Sequence, residues 1–145
     1  MTNADDRFDL ARFTIAQEGC YGQVLAELHD GNKRSHWMWY IFPQIDGLGH
    51  SPTAVHFAIK SLDEARAYLA HPVLGARLVD CAETLMAVHG RSASEIFGFP
   101  DDLKLRSSMT LFERAAEGDS VFARVLDKYY DGKRDDMTLR LLGVS

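Results

Sequence analysis

The residues best able to do chemistry stand together between Lys33 and Gly49, in the run K-R-S-H-W-M-W-Y-I-F-P-Q-I-D-G-L-G. His36 sits where a charged run meets an aromatic one. Imidazole titrates near neutrality, so His36 is the candidate general acid or base. No carboxylate partner for it is visible in the sequence, and a helix cap or a hydrogen bond at the edge of the core is the alternative. Lys33 and Arg34 carry charge suited to a phosphate or carboxylate, or to a solvated rim. Ser35 is either a ligand contact or an N-cap of the segment that follows. Trp37 and Trp39, the only tryptophans, allow two readings. Either they fill the core with Tyr40 and Phe42, or one turns its face to a cleft as a stacking platform for a nucleobase or similar ring. Gln44 and Asp46 close the far rim.

A second polar cluster, Lys104, Arg106, Ser107 and Ser108, opens a later helix. Lys104 and Ser108 are spaced i, i+4 and share a face with Asp101. The expected site lies between the two clusters. Its ligand-binding residues are Lys33, Ser35, Trp37, Trp39, Gln44, Lys104 and Ser108, with His36 in the catalytic role. The expected occupant is a nucleotide-like or phosphorylated small molecule. A non-catalytic module that docks a protein partner through exposed aromatics is the alternative, and a plain structural or oligomeric domain the third. Ser51-Pro52 offers free amides at a helix start, and His71 before Pro72 reads as a cap of its helix.

Several motifs are missing. Gly31-Asn-Lys33 lacks the spacing of a phosphate-binding loop. Gly47-Leu-Gly49 begins like a dinucleotide fingerprint, but Pro52 stands where the third glycine belongs. There is no H-E-x-x-H, no C-x-x-C and no histidine pair at i, i+4, so no metal and no cofactor is expected.

The elements that must position these groups read as helices. Leu10 and Phe13 mark a first one over Asp9–Gln17, and Val24, Leu25 and Leu28 a second over Tyr21–His29, with Gly31 as its stop. Six apolar residues, Trp37–Phe42, suit either a short buried helix or a buried strand. The helical neighbours favour the helix. Ser51 and Pro52 start a helix expected to run through Val55 and Ile59. Ser61-Leu-Asp-Glu64 and Ser92-Ala-Ser-Glu95 are capping-box patterns. Pro72 opens a longer helix with Leu74, Leu78, Cys81, Leu85 and Val88 down one face. Pro100 and Asp101 begin another, carrying Leu105, Met109 and Phe112. Val121, Phe122, Val125, Leu126, Tyr129 and Tyr130 form a double stripe, and Asp136–Leu142 a last short helix. No segment alternates as a strand does. The expectation is an all-α fold of seven to nine mostly short helices, with residues 1–8 a polar tail and 9–145 one domain.

Size and charge agree with this. At 145 residues the chain fits one domain, and 46% apolar and 26% charged residues make it globular. The net charge of −5, with no basic run, argues against general nucleic-acid binding. Cys20 and Cys81 are far apart and expected to be reduced. No secretory leader or membrane-length apolar run is visible, so no membrane partner is expected and a cytoplasmic location is the default.

With K-x-S-H-W-M-W-x-I-F-P-Q-x-x-G-L-G in view, the chain resembles the bacterial domain-of-unknown-function family 1810, whose members are often labelled calpastatin-like. The stretches Ala70–Leu78, Ile96-Phe97-Gly98, Asp101–Leu105 and Ser107–Phe112 carry the same resemblance, which spans Asp9–Leu142. It implies a single all-helical domain and brings no activity, cofactor or catalytic residue with it. The calpastatin label implies nothing for this chain, which has no disordered inhibitor-like repeats.

Overall fold

A computed structural model gives the structure and describes residues 6–143. Among the described residues there are ten helices and no strand: α1 (Ala11–Gln17), α2 (Tyr21–His29), α3 (Met38–Ile41), α4 (Pro52–Phe57), α5 (Leu62–Ala70), α6 (Leu74–Ala87), α7 (Ala93–Phe97), α8 (Asp101–Ala115), α9 (Val121–Tyr130) and α10 (Asp136–Leu141). The all-α expectation holds. The count exceeds the expected seven to nine because the short turn after Ser92 also closes into a helix, α7.

The central element is α8, which packs against α5, α7, α9 and α10. Leu105, Met109, Leu111 and Phe112 on α8 are fully buried. The α9 stripe answers them with Val121, Phe122, Val125 and Leu126, and its Ser120 hydroxyl caps the helix by accepting from the Ala123 amide. Aromatic rings pass through the core from α4 to α9. Phe57 meets Phe13, Phe13 meets Tyr68 edge-on at 5.1 Å, Tyr68 meets Phe112, and Phe112 meets Phe122. Where α5 turns into α6, a Cβ on Gly75 would lie 2.1 Å from the Leu69 carbonyl oxygen, so only glycine permits that approach.

Caps follow the sequence where the partner is local. Ser51 accepts from the Ala54 amide with Pro52 in the first turn, and Ser92–Glu95 forms a complete capping box. His71 Nδ1 accepts from the amides of Val73 and Leu74, so the helix after Pro72 begins two residues later than the proline. Two expectations are corrected. At Ser61 only half of the capping box forms. The Glu64 carboxylate leaves the Ser61 amide and instead accepts from the Lys60 amide and from Arg12, which lies on α1. And α4 ends at Phe57, before Ile59. Ile59 pairs in parallel with Ile45, donating to the Gln44 carbonyl and accepting from the Asp46 amide. That pairing buries a β-branched side chain and satisfies its backbone, which a further helical turn would not.

Of the expected polar tail, residues 1–5 lie outside the described residues. Within the rest, Asp6 accepts from the amides of Leu10 and Ala11, capping α1, and Phe8 packs on the core. Both cysteines are free. Cys81 is buried, and burial pushes its thiol up to about 12, which suits a small core residue.

Candidate functional site

The aromatic stretch is held from below by Glu27 on α2. Glu27 is only 1% exposed, and its carboxylate accepts from the amides of Arg34 and Ser35 at 2.8 and 3.1 Å. It also accepts from the Ser35 hydroxyl at 2.6 Å, the Trp37 indole at 2.9 Å and the Gln23 amide group at 3.0 Å. Burial pushes this carboxyl up, but the hydrogen bonds from Ser35, Arg34, Trp37 and Gln23 outweigh it and leave the pKa lowered to about 2. Glu27 therefore stays ionised and fixes the loop that leads into α3. Ser35 serves this network and is not an N-cap: Trp37 occupies the cap position of α3, with no side-chain bond.

From that anchor the two tryptophans part. Trp37, 2% exposed, packs on Phe42 and Phe97 in the core. Two residues on, within the single turn of α3, Trp39 is directed to the other side. It lines a cleft of about 420 Å³ bounded by the loop before α4, by α4 itself, and by α8 and the start of α10. Gln44, Gly49, His50, Ser51, Lys104, Ser107 and Asp135 supply the backbone and polar part of its wall. The close approach of loop and helix at Gly49, where a Cβ would fall 2.8 Å from that of Ala54, keeps this side of the wall tight.

Charge at the cleft is set by a shared carboxylate. Asp101, in the first turn of α8, meets Lys33 Nζ at 2.9 Å through one oxygen and Lys104 Nζ at 3.5 Å through the other. The Lys33 side chain is 7% exposed and its ammonium also lies 5.1 Å from the Trp37 ring, so it is consumed inside the fold. Lys104 is 27% exposed, lines the cleft, and holds its ammonium 5.2 Å from the Trp39 ring. Two lysines against one aspartate leave this trio one net positive charge, and the cleft wall itself holds one cation, Lys104, and one carboxylate, Asp135. Asp135 is drawn in by α10, whose Thr138 amide and hydroxyl it accepts, and it faces Arg106 at 3.5 Å.

Of the residues proposed from sequence, the structure brings Trp39, Gln44 and Lys104 together on this cleft. Lys33, Ser35 and Trp37 stand behind it, holding the wall. Ser108 is fully buried, its hydroxyl without a partner among the described residues, and Ser107, one position earlier on α8, lines the cleft in its stead. The His36 side chain is exposed, makes no hydrogen bond among the described residues, and is not part of this wall. Glu27 and Asp135 are not among the residues the sequence points to, while Asp101 is placed by it on the face of Lys104 but not as the partner of Lys33. Glu27 left a signal, since it interrupts the apolar face of α2 between Val24 and Leu28. Among the described residues no group of three or more His, Cys, Asp or Glu is placed to hold a metal ion. No helix there is long and apolar enough to cross a membrane.

A family model described as a protein of unknown function, DUF1810, matches residues 7–142. The chain belongs to the DUF1810 family. The crystal structure of the conserved hypothetical protein Rv1873 from Mycobacterium tuberculosis is similar to it at 54% identity and a TM-score of 0.92. The match covers 95% of this chain and 99% of that one. No curated protein matches the chain. In this DUF1810 chain the resemblance read from the aromatic motif therefore extends over the whole described domain.

Proposed function

We propose that this DUF1810 protein binds a small molecule carrying a flat ring and an anionic group, nucleotide-like or phosphorylated, in the cleft beside Trp39. One observation carries the reading: an indole lines the cleft with the ammonium of Lys104, which has only a shared carboxylate for a partner, over its ring. A cation over an aromatic ring at a partly exposed site is worth about 0.5–1 kcal/mol. Stacking a base on the same ring is worth about 1–3 kcal/mol. An arriving ring thus displaces the ammonium from the indole, and the flexible lysine stem lets it follow the ligand's anionic group. Gln44 and Ser107 offer hydrogen bonds from the same wall. The protein as a whole is acidic, so the Lys104 ammonium selects the position of the anion. The proposal concerns binding and assigns no reaction.

A second reading, a docking surface for a protein partner, draws on the apolar rim. Leu103 and Met137 line the cleft while remaining exposed, and Phe99, next to Pro100 of the wall, is 80% exposed. A thermal-shift series with mononucleotides and phosphorylated metabolites separates the two, because a ligand that binds only the native state raises the melting temperature. The expected result is a shift that Trp39→Ala or Lys104→Ala abolishes, with the unliganded melting temperature close to wild type. A shift unaffected by both substitutions would overturn the cleft as the site. No shift with any compound would favour the docking surface.

A further inference from the structure

Beside the first cleft lies a second hollow of about 350 Å³, lined by Arg106, Lys133, Arg134, Asp135, Asp136 and Met137. The two share Asp135 and Met137, so they adjoin across those side chains. Their chemistry differs. The first has an aromatic wall and apolar residues. The second has five charged residues and one methionine.

The cations of the second hollow are not equally engaged. Arg134 is committed: it pairs with both carboxylate oxygens of Glu113 and donates to the Gly132 carbonyl. Arg106 is not. Its Nε is buried without a hydrogen-bond partner among the described residues, and its Nη2 comes only within 3.5 Å of Asp135 Oδ1, longer than a good N–H to oxygen bond. The Nε is closed to solvent, so what the 30% exposed Arg106 side chain offers the hollow is its Nη edge, held only by that long contact. Lys133 is exposed and makes no ion pair among the described residues. On the divide, Asp135 gives its Oδ2 to Thr138 but keeps Oδ1 free apart from the long Arg106 contact.

We infer that the second hollow is a subsite for a further anionic group of the same ligand, which makes the ligand a diphosphate of nucleotide type and not a monophosphate. The ring stacks on Trp39 and the first phosphate meets Lys104. The terminal phosphate lies beyond Asp135, where it meets Lys133 and takes up the Arg106 guanidinium that Asp135 holds only at 3.5 Å. This rests on the reading of the first cleft as a ring-and-anion site.

Calorimetric titration of the full chain with matched pairs (AMP and ADP, GMP and GDP, UMP and UDP, CMP and CDP) tests it. For at least one base the diphosphate is expected to bind tenfold or more tightly than the monophosphate. Lys133→Ala, at an exposed position, is expected to remove most of that advantage while leaving monophosphate affinity within twofold. Arg106→Gln is expected to act in the same direction. Equal binding of both members of every pair, with sensitivity to Lys104→Ala retained, would overturn the second subsite and leave the first cleft standing. An advantage preserved in both Lys133→Ala and Arg106→Gln would overturn it as well. Absence of binding throughout would remove both.

Discussion

Trp37 and Trp39 stand two residues apart, each with a lysine ammonium about 5 Å from its ring, and both lysines lean on the same Asp101. Yet the two pairs are opposite in kind. Around Trp37 every polar group is answered. The indole donates to Glu27, Lys33 is spent on Asp101, and Phe42 and Phe97 seal the ring. Around Trp39, Lys104 has only the shared aspartate for a partner, and the wall is open. Similar side-chain pairs thus become buried framework or open cleft wall according to how fully their neighbours satisfy them. The sealed pair gives the open one its position.

The largest expected difference between the two is in stability. Trp37→Ala removes a buried aromatic and costs about 3–5 kcal/mol, in addition to leaving Glu27 without one of its donors. Chemical denaturation measures it. Trp39→Ala, at the cleft wall, is expected to cost much less. Equal losses would erase the distinction drawn here.

Acid unfolding sharpens the same point at Glu27. Its folded pKa is lowered to about 2 from an ordinary 4.5. Its contribution is therefore fully present above about pH 5 and is lost as pH falls through 2. The span corresponds to on the order of 3 kcal/mol. Between those limits wild type is expected to lose stability more steeply than Glu27→Gln, which is weaker at neutral pH but indifferent to this proton. Parallel curves would show that Glu27 does not hold the loop as a carboxylate.

How much of this was legible in the chain depends on the range of each interaction. The α9 stripe, the Ser51 cap and the Ser92–Glu95 box are local, and each partner sits within one helical turn. Ile59 was read as helical because its partner, the loop at Ile45, lies across the fold. The same holds for Glu64, taken by Arg12 from α1, and for Lys33, taken by Asp101. Helix phase limits the rest. One residue turns a helix by about 100°, so the choice between Ser107 and Ser108 on α8 needs the neighbours that fix its rotation. A single turn such as α3 has too few residues for periodicity to say which tryptophan faces inward.

That one-residue difference on α8 gives the smallest effect. The Ser108 hydroxyl is buried and without a partner among the described residues, so Ser108→Ala is expected to be neutral or stabilising by up to about 1 kcal/mol. Ser107→Ala is expected to leave stability nearly unchanged and to weaken ligand binding. A clear destabilisation by Ser108→Ala, read from melting curves, would mean that its hydroxyl is bonded after all.

The central claim, that Trp39 is the platform and Trp37 the framework, is tested most directly by tryptophan fluorescence during nucleotide titration of two single-tryptophan proteins. Trp37→Phe retains only Trp39, and its emission is expected to be quenched as a stacked ring saturates the cleft. Trp39→Phe retains only Trp37, and its emission is expected to stay constant. Quenching that follows Trp37, or no quenching in either protein across the nucleotide series, would contradict the account.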